Sequence, residues 1–258
     1  MFRRIALILA LASSIQATAF FSQCPPTDCC DWTGLYIGGY LGGAWDGRVT
    51  SQETGLTPGG GFYNEPDPWS YDLDSSWIGG GTIGYNYQIC SWVIGIENEI
   101  GYLRLKGGAV DPNSADVGFD TRTHSKIGDW YDVLALRLGY SYRCFLLYAK
   151  GGAAFTKLSG AVIDDSSAVG RGLIHATGHK NVTTWAVGGG LEYALCRNWS
   201  LKAEYLYLDL GEKLHVSGPI LNVPAFTGIT ANWDHTFRGI HTAKFGINYR
   251  FSLGCGCF

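Results

Sequence analysis

The sequence lacks a long uninterrupted apolar segment. The apolar run that starts at Ile5 is soon broken by Ser13 and Gln16, whereas a helix needs about 20 apolar residues to cross a bilayer. A membrane anchor helix is therefore not predicted.

The first 19 residues instead have the features of a secretory signal peptide. Arg3 and Arg4 precede the apolar run, and Ala-Thr-Ala at 17–19 supplies the small residues that signal peptidase requires. We predict cleavage after Ala19. Small residues are missing where lipid attachment to Cys24 would require them, so the mature chain is predicted to be free of lipid.

Charge is also scarce. Only 16% of the residues are charged and the formal net charge is -3, so no basic patch is available for nucleic acid. A His-Glu-x-x-His pattern is missing too, and the six histidines are scattered over the long connections and the outer rim, with no metal site predicted. They are His124, His175, His179, His215, His235 and His241.

What the sequence contains is alternation of apolar or aromatic residues with small or polar ones. In 244–251, Phe245, Ile247, Tyr249 and Phe251 fall on one face of an extended strand. Such a strand suits a barrel with one face on lipid and the other on a lumen, and a closed barrel leaves no unpaired edge in hydrocarbon. The 37 Gly, 15 Tyr and 9 Trp residues fit a small, tightly curved barrel with aromatic girdles.

Eight such stretches predict an all-β, eight-stranded antiparallel up-and-down transmembrane β-barrel over residues 32–251. The predicted strands are 32–46, 77–88, 92–103, 130–142, 145–157, 184–195, 199–210 and 241–251. Residues 20–31 are predicted to be a cysteine-rich periplasmic segment, and 252–258 a cysteine-containing tail.

The connections alternate in length, which predicts the orientation of the barrel. Short turns lie near Cys90, Cys144 and 196–198, as periplasmic turns do. The other four connections, 48–76, 104–129, 158–183 and 211–240, are long and rich in Gly, Asp, Asn and Pro, which is typical of extracellular loops.

Five segments resemble the opacity-type, OmpA-like eight-stranded outer-membrane proteins, in the order found there. They are DWTGLYIGG at 31–39, GGTIGYNYQ at 80–88, VGGGLEYAL at 187–195, NWSLKAEYLYLDLG at 198–211 and GINYRF at 246–251. The resemblance implies a surface-exposed, often immunogenic envelope protein, sometimes described as a porin or an adhesin, with no catalytic residues. The eight cysteines and the tail after Phe251 depart from that pattern.

Strand parity predicts that charged side chains fill the lumen. Because eight strands enclose a space just wide enough for side chains, these groups are expected to pair with one another, since an unpaired buried charge costs several kcal/mol. The predicted network is Glu97, Glu99, Glu192, Glu204, Arg137, Lys150, Lys202 and Lys244, with Arg250 near the periplasmic end.

Other functions were weighed against this structural one. A narrow or gated pore is possible in principle, although wide pores take about sixteen strands. Glu97 and Glu99 could act as an acid-base pair, and an outer-membrane lipid-modifying enzyme could use Ser217 with His215. A soluble lipocalin-like carrier would require an apolar interior.

All eight cysteines are predicted on the periplasmic side, where disulfides form. They are Cys24, Cys29, Cys30, Cys90, Cys144, Cys196, Cys255 and Cys257. Neighbouring periplasmic turns are about 10 Å apart, while bridged cysteines need Cα atoms within about 7 Å, so the turn cysteines are not expected to bridge one another. Bridges from turn to tail, cross-links to other envelope proteins and free thiols remain alternatives.

The first long connection is acidic and aromatic, and could contact host or matrix molecules; a merely solvated loop is the alternative. Its residues are Glu53, Glu65, Asp67, Asp72 and Asp74 against Arg48, with Phe62, Tyr63, Trp69 and Tyr71.

We therefore expect a non-enzymatic protein of the bacterial outer membrane, without cofactor, metal or nucleic-acid partner. Its expected partners are the outer-membrane lipid, neighbouring envelope proteins joined through disulfides, and host or matrix molecules.

Overall fold

The computed structural model describes residues 31–63, 67–112, 121–165, 173–195, 198–222, 224 and 227–251. The predicted signal peptide, the N-terminal cysteines and the C-terminal tail lie outside these residues. In the described part of the chain, no helix is long and apolar enough to cross a membrane.

Eight long antiparallel strands close into a ring in the order β1, β4, β5, β6, β7, β8, β9, β12. They are β1 Gly34–Trp45, β4 Ser76–Ile89, β5 Trp92–Val110, β6 Arg122–Tyr142, β7 Phe145–Asp164, β8 Leu173–Ala194, β9 Trp199–Leu208 and β12 Ile240–Phe251. The predicted eight-stranded barrel is confirmed. Its register pairs neighbouring strands directly, for example Trp92 with Tyr140 and Glu192 with Lys202.

The membrane-facing surface is apolar and has an aromatic girdle at each edge. The girdle next to the long connections, which we call the upper girdle, contains the stacked pair Trp77 and Tyr102, with ring centroids 4.6 Å apart. The lower girdle, next to the short turns, contains Trp92 packed edge-on against Tyr140, with ring centroids 5.4 Å apart. Between the girdles, apolar side chains such as Leu136 point outward. This is the surface that a bilayer requires, because lipid chains contact the outer face while the closed ring pairs the strand backbones with one another.

The long connections differ from their prediction as polar loops, because much of their length is β-structure. Strands β5 to β8 have 19 to 22 residues and extend beyond the upper girdle. Four further strands join their upper halves in the order β3, β2, β11, β10, β8. These are β2 Arg48–Thr57, β3 Trp69–Asp72, β10 Lys213–Leu221 and β11 Thr230–Phe237.

The added strands make a second barrel on top of the first, which we call the extension. Its sheet runs from β5 through β8 to β3, and the Asp74 amide donates to the Lys106 carbonyl at 2.8 Å, which brings the two ends of this sheet together. The missed strands alternate as well: in β10, Leu214 and Val216 point inward while Lys213 and His215 point outward.

Candidate functional site

Eight charged side chains meet in the lumen of the membrane barrel, and all are at most 4% exposed. They come from six strands: Glu97 and Glu99 from β5, Arg137 from β6, Lys150 from β7, Glu192 from β8, Lys202 and Glu204 from β9, and Lys244 from β12. The four carboxylates therefore face four cations.

Lys150 lies at the centre of this network. Its ammonium is 2.9 Å from Glu97, 3.0 Å from Glu99 and 2.8 Å from Glu204. Lys244 pairs with two of the same carboxylates, lying 2.9 Å from Glu204 and in direct contact with Glu99. Each of these carboxylates thus has at least two cationic partners.

Arg137 links the rest of the network. Its guanidinium is 3.1 Å from Glu97 and 3.0 Å from Glu192, and its planar group lies 3.9 Å from the centroid of the Tyr148 ring. The Asn248 amide donates to Glu192 at 2.8 Å. Arginine suits this position because its guanidinium can donate to two carboxylates and stack on an aromatic ring at once.

Tyrosines inside the barrel complete the network, and the sequence reasoning did not name them. The hydroxyls of Tyr36, Tyr131 and Tyr148 donate to Glu97, Glu99 and Glu204 at 2.7, 2.5 and 2.8 Å. Parity could have identified them, because Tyr36 lies two residues from the inward Gly38 and Tyr148 two residues from Lys150. Aromatic residues on these strands are therefore not confined to the lipid face.

Neither metal binding nor acid-base chemistry is favoured by this geometry. Carboxylate oxygens of Glu97, Glu99 and Glu204 lie within 4.8 Å of one another, as metal ligands could. However, the Lys150 ammonium already contacts all three. A general base must also reach its substrate, and these carboxylates are enclosed by side chains.

The lumen is closed below the network by Trp32. This side chain is fully buried, and it packs with Val93, Leu146 and Tyr148 at the periplasmic mouth. Its indole N–H donates to Ser141 at 3.1 Å. The Arg250 guanidinium, which parity predicted near this end, lies 4.9 Å from the Trp32 ring centroid.

Above the network the interior becomes apolar. The Tyr131 and Tyr40 hydroxyl oxygens lie 2.6 Å apart, and above this pair the extension encloses a continuous hydrophobic core. The core includes Val49, Leu105, Ile127, Leu158, Val162, Val216, Trp233 and Phe237, all fully buried.

This core corrects the expectation for the first long connection. Tyr63, Trp69 and Tyr71 are buried in it, and Glu53 is only 2% exposed and accepts a hydrogen bond from the Tyr63 amide at 2.5 Å. Of the aromatic residues proposed as a contact surface there, Phe62 is exposed, at 49%. Glu65 lies outside the described residues.

The histidines do not converge on one site. His235 was expected in a loop or at the rim but is fully buried in the core of the extension, where Nδ1 is 3.2 Å from the Ser125 hydroxyl. Burial lowers the pKa of His235 to about 4, so the ring is neutral at pH 7. His175 and His179 lie on β8, and His124 on β6; His241 is at the rim beside Tyr205.

The possible Ser217 and His215 pair lies far from the membrane. His215 lies on the outer face of β10, and its Nδ1 is 3.0 Å from the carboxylate of Asp234 on the neighbouring strand β11. Ser217 pairs in register with Thr177 of β8, eight residues beyond the exposed Trp185 on that strand, which is on the order of 25 Å along the strand. Lipid acyl chains would not reach this position.

Two of the eight cysteines lie in the described part of the chain, each in a short turn. Cys90, between β4 and β5, is disulfide-bonded. Cys144, between β6 and β7, is a free thiol and half-buried. The remaining six cysteines lie outside the described residues.

The closed ring, its apolar outer band and its charged lumen define an integral outer-membrane β-barrel protein. The chain belongs to the outer membrane protein beta-barrel domain family, whose model matches residues 5–251. It is therefore a protein of the bacterial outer membrane.

Similar proteins are also named for this membrane. The 31 kDa outer-membrane immunogenic protein of Brucella melitensis is 30% identical over 234 residues, covering 88% of this chain and 86% of that protein. The 22 kDa outer membrane protein of Rhizobium leguminosarum is 29% identical over 174 residues, covering 66% and 67%. The crystal structure of OprG from Pseudomonas aeruginosa has a TM-score of 0.48 at 14% identity, covering 85% of this chain and 97% of that one.

The lumen network leads to a first prediction. Glu97→Gln keeps the shape of the side chain but leaves Arg137, Lys150 and Lys202 short of one carboxylate, so it should lower the free energy of unfolding by about 3 to 5 kcal/mol. The measurement is the urea midpoint of the refolded barrel.

The matched control is Asp72→Asn, which removes an acid from the exposed ion pair with Arg48. Solvent-exposed ion pairs contribute little to stability, so the midpoint should barely move. Equal midpoints for the two variants would contradict the structural role of the network.

Proposed function

We propose that this protein is a non-enzymatic, sealed scaffold of the outer membrane that displays a rigid β-structured surface outside the cell. The observation that carries the proposal is the continuous filling of the interior by Trp32, the charge network and the core of the extension. A diffusion pore needs a wetted lumen, whereas the eight-stranded ring is filled by side chains.

Sealing can be measured directly. Refolded protein in planar bilayers should show no steady single-channel conductance, because Arg137 and Lys150 bridge the lumen between several strands. Trp32→Ala alone should also stay silent, since the network above it remains. Steady unitary conductance from the wild type would favour the small diffusion pore instead.

The surface role is supported by the shape of the extension. Its outer face is polar while its inner face is packed, so the tip at 57–62 is held on a rigid base rather than on a long loop. The tip carries Phe62, an exposed aromatic residue that could insert into a pocket of a host or matrix molecule.

Phe62→Ser should therefore reduce adhesion of cells that produce the protein to a reconstituted basement-membrane matrix by severalfold. Val110→Ser is the matched control, since Val110 is an equally exposed apolar residue of the extension, at 51% against 49%. Heat-modifiable migration on gels should be unchanged in both. Equal loss of adhesion in both variants would remove Phe62 as the contact.

The periplasmic side is proposed to attach the barrel to neighbouring envelope proteins through disulfides. The free Cys144 thiol supports this proposal, because it lies on a turn that points into the periplasm, an oxidising compartment. Bridges between turn and tail cysteines of one chain, and thiols that stay free, remain the alternatives.

Non-reducing electrophoresis of thiol-blocked envelopes tests the cross-linking. The protein should run in high-mass species that collapse to the monomer on reduction, and Cys144→Ser should deplete them while the barrel stays folded. Cys90→Ser is the comparison variant, because the Cys90 sulfur is already in a disulfide and is not available for the cross-link made by Cys144. A wild-type protein that runs wholly as a monomer without reductant would leave only the intramolecular and free-thiol alternatives.

A further inference from the structure

Four cations cluster on the outer face of the extension, directly above the upper girdle. They are Arg104 and Lys106 on β5, Lys126 on β6 and Lys157 on β7, and we call them the boundary patch. Arg104 and Lys106 lie two and four residues beyond Tyr102, which stacks on Trp77. The patch therefore starts about 7 Å and extends to about 14 Å along the strand from the girdle.

The arrangement of this patch is unfavourable for an isolated protein. Lys106 and Lys126 are directly opposite each other in the register of β5 and β6, and both point outward. Like charges in directly opposed positions destabilise a sheet. An anion that binds between them would remove this repulsion.

One carboxylate lies within the patch. Asp129 is 2.6 Å from the Lys126 ammonium and 3.3 Å from the Arg104 guanidinium. The hydrogen bond from Lys126, with the charges of Arg104 and Lys157, holds the pKa of this carboxyl below its usual value. Even with Asp74 nearby, the four cations face two acids, so the patch keeps a net positive charge.

A β-bulge in β6 places Asp129 within the boundary patch. The register of β6 against β7 shifts between Ile127 and Tyr131, and Gly128 and Asp129 adopt φ values of 94° and 80°. A side chain at Gly128 would meet the Leu103 carbonyl oxygen at 1.8 Å. The bulge lets consecutive residues, Asp129 and Trp130, both point outward, so a charged cluster lies beside an aromatic ring at the lipid boundary.

The surface here is also concave. A depression of about 460 Å³ is lined by one acid, Asp74, and by Arg104, Lys106, His124, Lys126 and Ser159. Elsewhere on the extension, Arg48 and Lys180 each have a carboxylate of their own, at 2.7 and 2.8 Å, whereas Arg104 and Lys126 share Asp129. Three of the four cations of the boundary patch thus line a concave surface next to the lipid-facing band.

We propose that the boundary patch binds the phosphate groups of a phosphorylated glycolipid in the outer leaflet, with the acyl chains lying against the apolar band below it. The height of the cations relative to the membrane favours a lipid. They begin at the level where the hydrocarbon region ends, as headgroup phosphates do, and Trp130 lies at the boundary between the apolar band and the cations. A soluble polyanion would not require cations so close to the girdle.

The test uses the mature protein refolded in a neutral detergent, with diphosphoryl lipid A as the probe and native mass spectrometry to count bound lipid. The variant K106Q/K157Q removes the two lysines of the patch that are not within ion-pair distance of Asp129, and it should weaken binding by at least about tenfold, since basic residues near such a surface attract anionic headgroups. The control R48Q/K180Q removes the same charge elsewhere on the extension, from cations that each pair with their own carboxylate, and should leave binding unchanged.

Asp129→Asn separates recognition from structural damage, because removing the competing carboxylate should strengthen lipid A binding while a distorted site would weaken it. Inorganic phosphate should compete only at far higher concentration, since it lacks the chains. Three results would each overturn the proposal. The two double variants could weaken lipid A binding equally, or lipid A without phosphates could bind as well as diphosphoryl lipid A. The test variant could also lose binding of heparin, a soluble polyanion, while keeping its binding of lipid A.

Discussion

Closure of eight strands in hydrocarbon is the constraint on which the rest of this structure depends. A closed ring satisfies every backbone group without water, but it also encloses a narrow interior that side chains must fill. Four glutamates meet four cations there, and no single pair is independent, because Lys150 contacts three carboxylates. A shift in the register of any of these six strands would therefore separate charges that are now paired, so the network favours the observed register in addition to the backbone hydrogen bonds.

The same strands reverse their polarity along their length. Within the bilayer, β5 to β8 point mostly apolar residues outward and charged residues inward, although Asp132 of β6 lies on the outward face, where it accepts a hydrogen bond from Asn98. Beyond the upper girdle they point Lys and His outward and Leu, Ile and Val inward. The solvent outside the barrel causes this reversal, since water replaces lipid on the outer face while the inner face stays dry. Even a polar residue inside the extension follows the rule, because burial keeps the pKa of His235 near 4 and its ring uncharged.

This reversal explains what the sequence could and could not predict. Alternation with aromatic residues identified the eight membrane strands, and parity was enough to bring Glu97 and Arg137 into one network. The extension was missed because its exposed faces are as polar as loops, although Leu214 and Val216 alternate in β10. The burial of Trp69 also depends on the pairing of β2 with β11, which are far apart in the sequence, and no local pattern contains that information.

The level at which the reversal occurs is set by particular residues. On the inside, Tyr131 bonds to both Glu99 and Tyr40, so it joins the last charged group to the apolar core above. On the outside of the same strand, the bulge at Gly128 turns Asp129 and Trp130 toward the bilayer surface. Both changes lie within a few residues on β6, so the change from charged to apolar on the inside occurs at the same height as the change from apolar to charged on the outside. A barrel that moved along the membrane normal would expose its outer charges to lipid or its apolar band to water. The chain thus fixes its own depth in the bilayer.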